Sequence, residues 1–276
     1  MSARPFAIHA SMLAMPCQMQ IQHRYVDGIK SPPGIAAHVG TAVHRAAELD
    51  LMRKIETGSL APADEVKARA SDALKAAWDE QPPLLSDEEK DLSEATLRGE
   101  AIDKACRLSG LHHDQVSPIV EPEAVELRLR IEDPNFPYAV EGTIDVLDSR
   151  KILRDRKTSA KSPSGNEADG NVQLDFYTML LDKHDRPVEM VVLDYLVDTK
   201  TPKYVQVQAE AVREHTTTLA RVRQFARLLD SGAFQPVNPT SPAGWCCQPK
   251  WCGYFNTCEF GARARRQVQV PTTPKE

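Results

Sequence analysis

The middle of the chain contains three short β-type segments in succession, and this feature constrains the fold more than any other. Residues 124–131 alternate in polarity, residues 138–147 contain Val, Ile and Thr, and residues 151–157 form a third run. Residues 148–150 make a tight connection between the second and third runs. Runs of this kind, joined by so short a connection, predict an antiparallel three-strand meander.

Helical segments flank the predicted meander on both sides. Six segments have the composition and periodicity of helices, namely residues 9–25, 39–56, 63–80, 87–108, 171–184 and 212–229. Two more strands are predicted between the last two helices, over residues 188–197 and 204–209. This order predicts the α/β class, with a mixed central β-sheet flanked by helices, a helical N-terminal region and a Cys-rich C-terminal tail.

The charge balance limits the classes of partner. The 276 residues include 34 Lys and Arg against 39 Asp and Glu, a formal net charge of −5. This balance excludes a protein that coats nucleic acid through a uniformly basic surface, and it still allows a local basic groove. With 41% hydrophobic and 26% charged residues, the composition excludes wholesale disorder.

The apolar stretches indicate neither a membrane span nor an export signal. The longest stretch, residues 190–197, contains Asp194 and is far shorter than the roughly 20 residues of a spanning helix. Before Cys17, the N-terminal segment is interrupted by His9, and Arg4 is its sole early cation. We therefore expect a cytoplasmic protein with no membrane partner, whose thiols stay reduced.

Two aspartates and a lysine of the meander are predicted to share one small site. Asp155 and Lys157 project to the same sheet face, because the side-chain period of a strand is two. The turn at residues 148–150 brings Asp145 close to Asp155. Paired carboxylates repel each other unless a cation lies between them, and hard oxygen ligands suit Mg²⁺ or Mn²⁺. A lysine beside such a metal suits an anionic transition state.

Three motifs around these residues follow one another along the chain. They are Gly142-Thr143-Ile144-Asp145, Asp155-Arg156-Lys157 and Gln173-Leu174-Asp175-Phe176-Tyr177. Together they resemble the successive motifs of RecB-like nucleases in the PD-(D/E)XK superfamily. The resemblance implies a restriction-endonuclease-like core in which Asp145, Asp155 and the backbone carbonyl of Arg156 bind the metal.

The resemblance also implies roles for residues around this set. Lys157 would orient the attacking water or stabilise the oxyanion, and Gln173 and Tyr177 would position substrate or brace the site. The segment Gly40-Thr41-Ala42-Val43-His44 resembles the family's histidine-bearing helix, which implies that His44 is a metal ligand. Glu126 matches a glutamate often found on the preceding strand, and two interpretations of it stay open, a metal ligand and a surface charge.

The cysteines form a fourth motif. Cys246, Cys247, Cys252 and Cys258 crowd near the end of the chain, and Cys17 lies 230 positions before Cys247. The arrangement resembles the iron–sulfur subset of RecB-like nucleases, including AddB and a CRISPR-associated exonuclease family, which implies a [4Fe–4S] cluster on four thiolates. A structural zinc site is the alternative, although the sequence lacks the Cys-x-x-Cys knuckles that zinc sites usually offer.

Spacing distinguishes the two adjacent cysteines. The intervals from Cys247 to Cys252 and from Cys252 to Cys258 resemble the tail of phage-type relatives, which implies that Cys17, Cys247, Cys252 and Cys258 are the cluster ligands. Successive side chains of an extended segment point to opposite sides. Cys246 is therefore predicted to face away from the cluster.

The domain organisation is predicted to be simple. Residues 1–276 form one nuclease domain, with a helical region over residues 1–110 that includes the first cluster cysteine. The nuclease core covers residues 121–231, and the cysteine-rich segment covers residues 232–262. The chain has no Walker sequence for an ATP motor, so a helicase or recombination partner would be a separate chain.

The resemblance implies a metal-dependent DNA nuclease, in particular an exonuclease on single-stranded or end-containing DNA. Recombination, repair and phage or CRISPR DNA processing are the processes that the resemblance implies. The alternative is a catalytically silent iron–sulfur subunit that binds DNA or serves as an adaptor. The intact set of Asp145, Asp155 and Lys157 argues against that alternative.

Overall fold

The structure, a computed structural model, describes residues 7–249 and 251–261. Seven α-helices occur in this part of the chain: α1 Ala10–Leu13, α2 Gln18–Ile21, α3 Ile35–Thr57, α4 Ala63–Glu80, α5 Glu94–Gln115, α6 Val172–Lys183 and α7 Thr216–Ser231. It also contains five strands: β1 Pro122–Ile131, β2 Val140–Asp148, β3 Ile152–Ser159, β4 Met190–Val197 and β5 Lys203–Glu210. None of the described helices is both long and apolar enough to cross a membrane.

The five strands form one mixed sheet in the order β1-β2-β3-β4-β5. β1, β2 and β3 pair antiparallel, as the meander predicts, and β4 and β5 are also antiparallel. β3 and β4 run parallel, and α6 lies in the crossover that such a pair requires. The predicted fold class, a mixed sheet flanked by helices, is confirmed.

The hydrogen-bonded ladder between β2 and β3 is short. Where it ends, the two strands begin the polar site, which contains Asp145 and Asp155. Its last pair on this side is Val146↔Arg154. The next residue of each strand, Asp145 and Asp155, lies beyond that pair, where β3 continues to pair with β4 alone. Two carboxylates therefore come together where two strands separate.

Helices cover both faces of the sheet with separate apolar cores. α3, α4 and α5 pack on one face, where Val43, Leu74 and Leu108 are fully buried together with Leu196 of β4. α1, α6 and α7 pack on the other face. Side chains alternate along β3, so Leu153, Asp155 and Lys157 face α6, and Arg154 and Arg156 face α3 and α5.

A third apolar cluster joins the two ends of the described chain. Its buried members are Cys17, Met19, Cys246, Cys252, Tyr254, Phe255 and Cys258. Tyr254 of this cluster donates its hydroxyl hydrogen to the carbonyl of Ile29, at 2.9 Å. The C-terminal segment is thereby held against the loop that leads into α3.

Two predicted helices differ from the structure. The segment 9–25 is broken into α1, α2 and a π-helical turn, because Pro16 favours an extended residue before it and Cys17 takes an extended conformation. The helix predicted from residue 87 begins at Glu94, where the Ser93 hydroxyl caps it by accepting a hydrogen bond from the Thr96 amide at 3.1 Å.

Candidate functional site

Glu126 lies opposite Asp145 in an unusual backbone conformation. The neighbouring pairs are Val125↔Val146 and Leu127↔Ile144, and the ladder omits the pair between them. Glu126 has φ +50°, in the left-handed region that residues other than glycine rarely adopt. Such a conformation costs about 1–3 kcal/mol, and residues held in strained conformations cluster at active sites.

The Glu126 side chain turns toward the buried guanidinium of Arg156. Arg156 Nη2 donates a hydrogen bond to Glu126 Oε1 at 2.8 Å, and the Arg156 side chain is only 1% exposed. Burial raises the pKa of the Glu126 carboxyl above its ordinary value, although the charge of Arg156 opposes this shift. Glu126 is therefore part of the polar site and not a solvated surface charge.

His44 of α3 reaches the same point from above the sheet. Its Nδ1 lies 3.5 Å from Asp145 Oδ1 and 4.0 Å from Glu126 Oε1. Its other ring nitrogen, Nε2, lies 3.2 Å from the carbonyl oxygen of Arg156. Among the described residues, His44, Glu126 and Asp145 form the one group of three potential metal ligands whose atoms lie within 4.8 Å of one another.

Asp145 is held ionised by its surroundings. Its Oδ2 accepts a hydrogen bond from the backbone amide of Arg156 at 2.7 Å, which satisfies an amide that the separated strands leave unpaired. Burial alone would raise the pKa of Asp145, but the hydrogen bond and charge of His44, together with Arg156, hold that pKa well below its ordinary value. A carboxylate in this state is ready to bind a cation.

Asp155 and Lys157 form a second group beside the first. Asp155 Oδ2 lies 2.6 Å from Lys157 Nζ. Burial, reinforced by the negative charge of Asp145, raises the pKa of Asp155 to about 6. Asp155 is electrostatically coupled to Asp145 and lies outside the group of three ligands within 4.8 Å.

α6 supplies the partners of Lys157. Lys157 Nζ donates a hydrogen bond to Gln173 Oε1 at 2.7 Å, and Gln173 Nε2 donates to the Tyr177 hydroxyl at 3.1 Å. Asn171 caps this helix by accepting hydrogen bonds from the amides of Gln173 and Leu174. The order Asp155, Lys157, Gln173, Tyr177 is thus one continuous chain of polar contacts.

Gly142 on β2 makes room for the Tyr177 end of this series of polar contacts. A Cβ atom at residue 142 would lie 2.7 Å from Tyr177 Cε1 and 2.9 Å from Leu180 Cδ1. Real Cβ atoms essentially never approach so closely, so a side chain at residue 142 would force the Tyr177 ring or α6 to shift. The glycine and the tyrosine of the sequence motifs are therefore in direct contact.

The side chain of Arg156 also belongs to the site, although the sequence predicts a role only for its backbone carbonyl. The Arg156 guanidinium lies between the two acids of the first group, with Nε 3.7 Å from Asp145 Oδ2 and Nη2 bonded to Glu126. The alternation along β3 places this side chain on the face opposite Asp155 and Lys157. The sequence signal for this role is the position of a basic residue, Arg156, between Asp155 and Lys157 on a buried strand.

Five cysteines gather where the segment around Cys17 meets the last described residues. Cys17, Cys247, Cys252 and Cys258 line one cavity, and Cys246 is buried outside its lining. All five are free thiols. Burial raises the pKa of the Cys252 thiol to about 11.

A family model described as the PD-(D/E)XK nuclease superfamily matches residues 12–259. The match includes the two polar groups at the β2–β3 junction and all four cysteines of the cavity. The class defined by the fold and the site is therefore a nuclease with a PD-(D/E)XK core. This chain belongs to the PD-(D/E)XK nuclease superfamily.

One solved structure shares the fold of this chain. A presumed exonuclease from Eubacterium rectale aligns with a TM-score of 0.51 and 11% identity, over 97% of this chain and 88% of its own. SSO0001 aligns over 88% of this chain and 93% of its own with 13% identity and a TM-score of 0.33. A search of curated proteins gave no match.

Proposed function

We propose that this protein is a divalent-metal-dependent deoxyribonuclease that acts as an exonuclease on single-stranded or end-containing DNA. The observation that carries the proposal is the convergence of two groups where β2 and β3 separate. His44, Glu126 and Asp145 form the first group, and Asp155 and Lys157 form the second. Metal ligands and a lysine side by side suit phosphodiester hydrolysis.

The donors of the first group fit Mg²⁺ or Mn²⁺. They offer carboxylate oxygens and an imidazole nitrogen, and the Arg156 carbonyl lies beside them, facing His44. We propose His44, Asp145, Asp155 and the Arg156 carbonyl as the ligands, with Glu126 as a further ligand or as the anchor of Arg156. A bound divalent ion would supply charge neutralisation at the phosphate and a more acidic water.

The protein's own residues hold Lys157 in place. Its ammonium group has three N–H donors, of which one faces Asp155 and another faces Gln173. The third is free to donate to a phosphate oxygen, where positive charge stabilises the negative charge that develops in the transition state. Gln173 and Tyr177 are positioning residues in this proposal, because they act through Lys157.

The cysteine cavity is proposed to hold a structural [4Fe–4S] cluster on Cys17, Cys247, Cys252 and Cys258. A tetrahedral zinc site, with Zn–S distances of about 2.3 Å, would require its sulfur atoms to lie about 3.8 Å apart. Among the described residues, no three cysteine sulfurs lie within 4.8 Å of one another. The support for the cluster over zinc is the sequence spacing, in which one cysteine lies 230 positions before Cys247 and no Cys-x-x-Cys pair occurs.

Digestion of end-labelled linear and circular single-stranded DNA tests the proposed activity. With Mg²⁺ or Mn²⁺, we expect progressive shortening of the linear strand, whereas the circular strand of the same sequence stays intact. Equal cleavage of the circle would overturn the exonuclease assignment and indicate an endonuclease. Cleavage of neither substrate, by protein with its full metal content, would favour the catalytically silent subunit.

A further inference from the structure

Arg156 contacts each of the three candidate ligands of the first group through a different part of the residue. Its backbone amide donates to Asp145 Oδ2 at 2.7 Å, and its carbonyl oxygen lies 3.2 Å from His44 Nε2. Its Nη2 donates to Glu126 Oε1 at 2.8 Å. The group is therefore arranged around one residue of β3, whose side chain carries a permanent positive charge.

The guanidinium of Arg156 is a buried cation. Its side chain is 1% exposed, and Nε and Nη1 make no hydrogen bond within the part of the chain that the structure describes. Its ion-pair partners there are Glu126 and Asp145. Because a buried charge is costly unless it is paired, the two acids and the guanidinium stabilise one another.

The two carboxylate oxygens of Asp145 have different partners. Oδ1 lies 3.5 Å from His44 Nδ1, whereas Oδ2 accepts the Arg156 amide hydrogen and lies 3.7 Å from Arg156 Nε. In two-metal sites the ions lie about 3.5–4 Å apart, a spacing at which one carboxylate can bind an ion with each of its oxygens. Since Arg156 engages Oδ2, Asp145 keeps one oxygen for an ion.

Glu126 is engaged by the same guanidinium. Its Oε1, which accepts the hydrogen bond from Arg156 Nη2, is also the atom that lies 4.0 Å from His44 Nδ1. The Arg156 side chain thus lies between Glu126 Oε1 and Asp145 Oδ2. A second metal ion shared by these two acids would need the position that the guanidinium occupies.

The charges of the two groups fit one divalent ion. Glu126, Asp145 and Asp155 supply three carboxylates, and Arg156 and Lys157 supply two cations, which gives a formal sum of −1. The histidine of the first group is neutral when it binds a metal. One divalent ion changes this sum to +1, and a second would raise it to +3 in a small site, where like charges repel.

We infer that the Arg156 guanidinium takes the place of a second metal ion, so that this site binds a single divalent cation. The inference rests on the proposed function, because it takes the divalent-metal site of that proposal as its starting point. Arg156 is a positioning residue in this account, since it acts through Asp145 and Glu126 and not on the substrate.

The test counts the Mn²⁺ ions bound by the full-length protein without DNA. Equilibrium dialysis followed by elemental analysis gives the number of ions, and electron paramagnetic resonance shows whether two ions lie close enough to couple. Asp145→Asn at the same Mn²⁺ concentration measures the ions bound elsewhere on the chain, and that number is subtracted. We expect one ion per chain for the wild type, with the spectrum of an isolated Mn²⁺.

Substitutions of Arg156 separate its charge from its presence in the strand. Arg156→Met releases both acids, so we expect two ions with the spectrum of a coupled pair. Arg156→Lys keeps a positive charge and should bind one ion. Arg156→Met/Glu126→Gln loses one charge of each sign, so the count should return to one. Arg154→Met removes another buried guanidinium of β3, paired with Asp194, and should also bind one ion.

Several results would overturn the inference. They are two ions, or none, on the wild type and a single ion on folded Arg156→Met. Circular dichroism and the melting temperature establish that each variant is folded. Anomalous diffraction from wild-type crystals soaked in Mn²⁺ needs no variant. We expect one peak beside His44 and Asp145, and a second peak beside Glu126 would contradict the inference.

The count of ions is independent of cleavage. If the wild type binds one Mn²⁺, Arg156→Met binds two and the wild type cuts no DNA, the proposed function fails and the role of Arg156 stands. If the wild type cuts DNA and binds two ions, the role of Arg156 fails and the proposed function stands.

Discussion

Lys157 Nζ donates a 2.7 Å hydrogen bond to Gln173 Oε1, and this contact joins β3 to the first turn of α6. Because Asp155 lies on the other side of the same ammonium group, the lysine is held between a strand and a helix. A lysine on a flexible stem loses much rotamer freedom when it is ordered. The two partners remove that freedom before substrate binds.

Lys157→Ala should lower the rate of DNA cleavage by roughly 10²–10³-fold or more, because a donor aimed at developing charge is lost. The Lys157 side chain is 32% exposed, so the melting temperature should change little. Gel-based cleavage of a labelled single strand measures the rate. Lys151→Ala, at an exposed lysine paired with Glu189, is the matched control, and wild-type turnover by Lys157→Ala would contradict the assignment.

Asp145→Asn should weaken Mn²⁺ binding, because a neutral amide replaces a carboxylate that the site holds ionised. Calorimetric titration of the folded variant with Mn²⁺ measures the effect, and we expect a loss of at least tenfold in affinity. Asp198→Asn removes a carboxylate that is paired with Lys104 and Arg107, and it should leave Mn²⁺ affinity unchanged. Equal affinities for the wild type and Asp145→Asn would exclude Asp145 as a ligand.

Cys246→Ser and Cys247→Ser should differ in iron content. Cys247 lines the cavity with three other cysteines, and Cys246 lies outside that lining. Protein purified without oxygen should be brown, with iron and sulfide near four per chain for an intact cluster. Cys246→Ser should keep its colour, and Cys247→Ser should lose it.

Elemental analysis and the absorption spectrum decide the outcome for the cysteines. Cys106→Ser, far from the cavity on α5, controls for the loss of a thiol. Zinc without iron in the wild-type protein would reject the cluster. Loss of iron in Cys246→Ser alone would place the ligand one residue earlier.

Gly142→Ala should destabilise the protein by about 1–3 kcal/mol, because the added methyl group overlaps the Tyr177 ring. The same change should slow cleavage, since Tyr177 holds Gln173 against Lys157. Urea unfolding gives the change in free energy. Gly99→Ala, in open space on α5, should instead stabilise by about 0.5–1 kcal/mol.

A double variant shows whether the cost of Gly142→Ala comes from steric overlap with Tyr177 or from another effect of the substitution. Tyr177→Leu removes the ring atoms that the new methyl group would meet and leaves Leu180 Cδ1 in place. The cost of Gly142→Ala should therefore be smaller in the Tyr177→Leu background than in the wild type. Additive costs would show that the contact between residues 142 and 177 is not the cause.

The sequence predicts the sheet well because its strands obey a period of two and are bounded by turns. The adjacency of Asp145 to Asp155 and the shared face of Asp155 and Lys157 follow from that period and from one short turn. The strand period could not decide whether Glu126 belongs to the site or is a surface charge. Its place in the site depends on a left-handed backbone angle, which a residue pattern does not encode.

Other features depend on tertiary contacts that no local pattern contains. The parallel pairing of β3 with β4 requires the α6 crossover, and the position of Arg156 depends on two acids from different strands. The apolar residues of the N-terminal segment keep a helical period across Pro16, although α1 ends before this proline and α2 begins after it. The proline itself is the single sign of the break in the sequence. For the position of this helix break, the proline is a better predictor than the hydrophobic period.

The most direct test of the central claim is DNA cleavage with and without a divalent ion, using the wild-type protein and the Asp145→Asn/Lys157→Ala variant side by side. We predict that the wild type degrades linear single-stranded DNA only when Mg²⁺ or Mn²⁺ is present, that a chelator stops the reaction, and that the variant is inactive under every condition. Cleavage by the wild type that persists in excess chelator, or equal cleavage by the folded variant, would contradict the account.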